Sequence, residues 1–153
     1  MRSIEEKTIH QLKAHFYIYV AMVAVFFLLA LFDVFPFTQN PQLNNLAVQQ
    51  YAIILTLIAI PAALKLFAVK FKKIDKTDKI FAIQEYKKIY FLRLYIIGFA
   101  TLANIVLFAL TRNNNFMWLA VISLVIYAFC KPSADEIYSL AETDTKQTEQ
   151  EQI

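Results

Sequence analysis

The chain has 153 residues, of which 59% are apolar, with one Gly, one Cys and a net charge of +3. A soluble domain of this length exposes too much surface to hide that apolar content, since ordinary globular proteins carry roughly 45–50%; lipid is the solvent that removes the conflict. The single Gly excludes Gly-rich phosphate loops. Cys130 cannot form an internal disulfide and reads as a small hydrophobic residue at a helix end.

The first element opens with Ser3-Ile4-Glu5-Glu6, the Ser-x-x-Glu pattern of a helix capping box, and continues through amphipathic turns bearing Lys7, His10 and Lys13. From Phe16 to Phe32 there is no charged residue. A first span at about 14–33 is expected, because roughly 20 residues cross a ~30 Å hydrocarbon core. Glu5 and Glu6 lie before it, and Asp33-Val34-Phe35-Pro36 stands where a cleavage site would need small residues. Both features argue for a retained helix over a signal peptide.

The connection 33–45 carries Pro36 and Pro41 and no base, and reads as a loop with Phe35 and Phe37 at the lipid interface. A second span follows at about 46–69, with Pro61 inside it predicting a kink through the lost backbone bond. Then comes a basic island. Nine of the fifteen Lys and Arg residues fall between Lys65 and Arg93: Lys65, Lys70, Lys72, Lys73, Lys76, Lys79, Lys87, Lys88 and Arg93. Within it Ile80, Ile83, Tyr86 and Tyr90 recur at helical steps of three and four. Between Asp78 and Arg93 that is a helix period, apolar on one face and cationic on the other; the amphipathic cytoplasmic segment at about 70–93 is expected to run on into a third span at about 89–111.

A short turn at Thr111–Asn115 leads to a fourth span at about 116–130, short enough to be upright or to thin the bilayer locally. Lys131-Pro132 ends it, and Ser133-x-x-Glu136 offers a second capping box for a brief surface helix reaching Leu140. One membrane domain thus covers 1–142, and the acidic segment 143–153 lacks the apolar residues to fold.

The fold expected is all-α: a polytopic membrane protein with four antiparallel spans. Counted by bases, the segment 1–13, the connection 33–45, the island from Lys65 to Arg93, the turn at Arg112 and the segment from Lys131 on hold three, zero, nine, one and two. Lys and Arg are retained on the cytoplasmic side, so both termini and the island face the cytoplasm. Lys-rich inner segments fit a bacterial inner membrane.

A charge deep in a span signals a functional site. Here Asp33, Lys65, Arg93 and Arg112 all sit near span ends, where snorkelling accounts for them. That pattern weighs against ion-coupled transport by a monomer and against intramembrane carboxylate or metal catalysis. The deep polar residues are Thr56, Thr101, Asn104 and Ser123, with Gly98, Thr101 and Asn104 forming a stripe every three residues. They are either a small site for a headgroup or quinone, or an interhelical hydrogen bond from Asn104 to Thr56 or Ser123. Ala59-x-x-x-Ala63 reads as a close-packing face. His10 and His15, five residues apart, point about 140° apart around a helix and do not converge on a metal or haem. No nucleophile elbow, Ser–His–Asp set or Cys-x-x-Cys pair is present. No cofactor or metal is expected.

The basic surface of Lys70, Lys72, Lys73, Lys76, Lys79, Lys87, Lys88 and Arg93 has three readings. It is a topology-setting loop, an adsorption site for anionic lipid headgroups at ~1 kcal/mol per base, or a dock for an acidic partner. Its shortness and its apolar side, expected to face the membrane, weigh against nucleic acid. The leading expectation for function is a non-enzymatic accessory or scaffold subunit of a membrane complex. Behind it stand a small transporter or pore made by a homo-oligomer and lined by Thr56, Thr101, Asn104 and Ser123, and then an enzyme acting on a lipid-borne substrate.

Overall fold

The computed structural model describes residues 4–34, 42, 45–75 and 78–140. The expected loop prolines Pro36 and Pro41, the interfacial Phe35 and Phe37, the cap Ser3, Lys76 and the acidic tail lie outside the described residues. The protein is all-α. Its helices are α1 (Ile4–Leu31), α2 (Leu46–Lys72), α3 (Lys79–Thr111), α4 (Asn114–Phe129) and a short α5 (Ala134–Leu140). Three of them, α1 to α3, are long and apolar enough to cross a membrane. A fourth crossing arises if α4 and α5, which meet at 44°, are counted as one bent span. Alone, the 16 residues of α4 reach about 24 Å, short of a ~30 Å core.

Local chemistry sets the helix ends. Asn45, Asp78 and Asn113 are N-caps in extended conformation, each accepting a bond from a backbone N–H of the first turn that would otherwise lack a partner. The Asp78 carboxylate takes two, from Ile80 N at 2.9 Å and Phe81 N at 3.3 Å. Helices often end on a left-handed Gly. The one Gly of this chain is Gly98, inside α3, so the left-handed positions fall to Asp33 (φ 57°) and Arg112 (φ 54°). The α3–α4 turn is tighter than expected, with only Arg112 and Asn113 outside helix. α2 runs through Pro61 as one helix.

α3 is the hub. Half of its apolar stretch is buried, against 28% in α2 and 17% in α1. It packs on α1, α2 and α4; α4 also touches α1 and α2; and α1 and α2 make no contact with each other among the described residues. The arrangement is therefore a rhombus, with α3 and α4 across the short diagonal and α1 and α2 at the far corners. Gly98 sits where α3 meets α4: a Cβ there would lie 3.5 Å from the Tyr127 hydroxyl, an ordinary contact. The outward faces of α1 and α2, with Tyr17, Ile18, Met22, Leu55, Leu57 and Ile58, are broadly apolar and exposed.

Two cores stack along the helices. One, at the end that carries the basic island, joins Ile9, Leu12 and Phe16 of α1 with Phe67 of α2, Ile83, Tyr86 and Tyr90 of α3, and Ile137 and Leu140 of α5. The other, at the far end, joins Val23, Ala30, Ala52, Ile105, Phe108, Phe116 and Ala120. The first corrects one expectation. The apolar face of the amphipathic segment does not meet lipid: Ile83, Tyr86 and Tyr90 are buried inside the protein, and only Ile80 remains exposed. α5 lies at the surface as expected, with Asp135, Tyr138 and Ser139 exposed, and is docked through Ile137 and Leu140, which are fully buried against α1 and α3. Glu136 does not serve as a reciprocal cap there; its carboxylate accepts a 2.7 Å bond from the Tyr86 hydroxyl.

Candidate functional site

The deep polar residues separate into three environments. Asn104 on α3 donates from Nδ2 to Thr56 Oγ1 on α2 at 2.9 Å, and both side chains are buried. Thr101 turns back on its own helix and donates to the Ile97 carbonyl at 2.8 Å. Ser123 on α4 is fully buried, and its hydroxyl has no partner among the described residues. Of the four, only Thr56 and Asn104 are brought together by a bond. An amide in an apolar interior must find partners, and here the neighbouring helix supplies one.

That bond has a bounded value. Interhelical hydrogen bonds in membrane proteins average ~0.6 kcal/mol and rarely approach 2, because the separated helices find other partners. Thr56 can follow Thr101 and bond its own helix when Asn104 is removed. Asn104→Leu is therefore expected to cost below about 1 kcal/mol, with a coupling of ~0.6 kcal/mol to Thr56→Val. A double-mutant cycle of unfolding in mixed micelles measures it; a coupling of several kcal/mol would mean that the pair does more than join α2 to α3.

Arg93 of α3 and Arg112, the residue that caps its end, both turn onto neighbouring helices. At the basic end Arg93 turns inward, its guanidinium 3.9 Å above the centroid of the Phe67 ring, and donates to the carbonyl of Cys130 at 3.3 Å. The Tyr90 hydroxyl donates to the same carbonyl at 3.2 Å. At the far end Arg112 pairs with Asp33 and donates to the Ala30 carbonyl at 2.7 Å. Each arginine thus meets the carboxyl end of a neighbouring helix, α4 for Arg93 and α1 for Arg112. There free carbonyls and the helix dipole favour a cation.

The basic residues likewise do not form one surface. Lys79 pairs with the nearly buried Glu5 and ties the start of α3 to that of α1. Lys87 donates to Gln11 Oε1 at 3.3 Å, on the same side. Lys70, Lys73 and Lys88 instead ring a cleft of about 530 Å³ between the end of α2 and the start of α3, floored by Ile74, Phe81, Ile89 and Leu92. Asp75 and Glu85 also line it, and Glu85 is held by Lys88 at 2.8 Å. Lys72 is exposed and does not line the cleft.

Further along the α2–α3 seam lies an apolar groove of about 320 Å³, lined by Ala52, Leu55, Ala59, Tyr95, Phe99 and Ala103, with the Thr56–Asn104 pair at its wall. Sequence reasoning did not find either recess. The small residues Ala52 and Ala59 were the available signal, since with no bulk between α2 and α3 the seam stays open.

His15 packs edge-on against Phe91 with ring centroids 5.7 Å apart, and the Tyr19 hydroxyl bonds that of Tyr95 at 3.2 Å, both joining α1 to α3. Among the described residues no three His, Cys, Asp or Glu side chains gather as metal ligands. Cys130 is buried at the end of α4. No protein-family model, curated protein or solved structure matches the chain.

Proposed function

We propose that this chain is a non-enzymatic accessory or scaffold subunit of a membrane complex, built as a four-span antiparallel bundle with both termini and the basic end in the cytoplasm. The charge asymmetry supports the orientation, and Lys-rich inner segments suit a bacterial inner membrane. One observation carries the functional reading: Thr56, Thr101, Asn104 and Ser123 are all at most 6% exposed within a single copy. Of these, Asn104 and Thr56 join α3 to α2, Thr101 is satisfied within α3, and none of the four opens onto a path. Lining a path between copies would require unpacking α3. The surfaces left for partners are instead the outward apolar faces of α1 and α2, which lipid or foreign helices cover equally well.

Two measurements test this. Extraction in a mild detergent, followed by mass determination, is expected to give the chain in fixed ratio with other membrane subunits. A homo-oligomer of defined size that passes ions or solutes in vesicles would instead establish the pore. For orientation, a phosphatase fused after Ile153 is expected to be inactive, and an active periplasmic fusion would reverse the topology.

A further inference from the structure

The basic cleft and the apolar groove are two ends of one seam. The Ala59-to-Lys70 spacing on α2 is matched by that of Leu92 and Ala103 on α3: each pair is eleven residues apart, about three helical turns, and so shares a face. Along α3 the cleft uses Phe81, Glu85, Lys88 and Leu92, and the groove continues the same stripe through Tyr95, Phe99, Ala103 and Leu107. From Leu92 to Leu107 the rise is about 22 Å, longer than the roughly 15 Å of one hydrocarbon leaflet.

Chemistry changes along this line as it does along an amphiphile. The groove presents aliphatic and aromatic carbon, with Phe99 exposed at 72%. The cleft presents the amines of Lys70, Lys73 and Lys88 beside the carboxylates of Asp75 and Glu85, over an apolar floor. With Glu85 engaged by Lys88, Lys70 and Lys73 are the bases there with no bonded acid among the described residues. We infer that the α2–α3 seam is a binding site for one anionic glycerophospholipid. Its phosphate lies between Lys70, Lys73 and Lys88, and an acyl chain runs past Leu92 and Tyr95 into the groove. The inference rests on reading α2 and α3 as spans, which puts the cleft at headgroup depth, but not on the scaffold role.

Native mass spectrometry of the full chain in a neutral detergent tests it, with dioleoyl phosphatidylglycerol, phosphatidylcholine of the same chains, and glycerol phosphate as probes. The expected result is one phosphatidylglycerol per chain, held at least tenfold more tightly than phosphatidylcholine and not displaced by glycerol phosphate. The pair Lys70→Gln and Lys73→Gln is expected to weaken it about twenty- to thirtyfold, as two bases near a membrane surface should. Lys72→Gln, outside the cleft, is expected to change it less than threefold, and Ala103→Phe, which fills the groove, to weaken it about tenfold. Equal retention of the two lipids, or an equal effect of Lys72→Gln, would overturn the site. Displacement by glycerol phosphate would make it a free-phosphate site and overturn the lipid. Micelles have no sidedness, so an inverted orientation would show in the phosphatase fusion and leave this assay unchanged.

Discussion

Replacing Ile137 and Leu140 together with Ala is expected to release α5 from the protein. Both side chains are fully buried in the core at the basic end, among Ile9, Leu12, Ile83 and Tyr86. Truncating a buried Ile or Leu to Ala costs 2–5 kcal/mol, so the pair together removes on the order of 5 kcal/mol. A helix of seven residues cannot persist alone, because the cost of nucleating it exceeds what so few bonds return. The loss should therefore appear as local undocking more than as global unfolding. Limited proteolysis is the direct measurement: cleavage between Lys131 and Leu140 should become fast in the double variant while α1 to α4 remain protected. The Tyr86–Glu136 bond offers an internal comparison. Tyr86→Phe removes that one contact and should leave α5 largely protected, losing about 1–2 kcal/mol of its docking. Unchanged proteolysis in the double variant would mean that the core at this end holds without α5.

The difference between what was legible in the sequence and what was not follows from the range of the signals. Uncharged runs such as Phe16–Phe32 identify long apolar helices because the signal is contained in the run itself. The continuity of the amphipathic segment with the third span was legible for the same reason, and α3 indeed runs unbroken from Lys79 to Thr111. Period alone could not say what the apolar face of that segment would meet. Ile83, Tyr86 and Tyr90 look identical in sequence whether they face lipid or protein. One of the partners that bury them, α5, lies some fifty residues away and is only seven residues long.

Charges failed in a similar way. Arg93 and Arg112 lie where snorkelling is the ordinary expectation. Only the packing of α3 against its neighbours reveals that each can reach the carboxyl end of another helix first. The candidate polar site was half legible. Asn104 was the residue whose amide most needed a partner, and Thr56 was one of the two partners expected for it. Thr101 differs because its hydroxyl can be satisfied locally, four residues back, so depth in the span carries no information about what it faces. The seam between α2 and α3 was not legible, because a groove is a property of two helices and small residues such as Ala52 and Ala59 mark close packing as readily as open space.

Arg93 and Tyr90 should prove redundant singly and indispensable together. Both donate to the Cys130 carbonyl at the end of α4, at 3.3 and 3.2 Å, and Cys130 itself is only 4% exposed. Tyr90→Phe leaves the carbonyl its arginine, and Arg93→Met leaves it the phenol. Either single change should thus spare the acceptor. Arg93→Met additionally loses the stacking of the guanidinium on Phe67, about 1–2 kcal/mol where the cation is partly desolvated. It also removes the buried Nε, which has no partner among the described residues, so part of that loss is returned. The double variant orphans a buried carbonyl, which adds roughly 1–3 kcal/mol beyond the sum of the singles. Arg93→Lys keeps the charge but not the planar stack and should restore less than half of what Met loses. Unfolding by denaturing detergent in mixed micelles reads all four. Additive losses in the double variant would show that water reaches Cys130 O, and that Arg93 contributes through Phe67 alone.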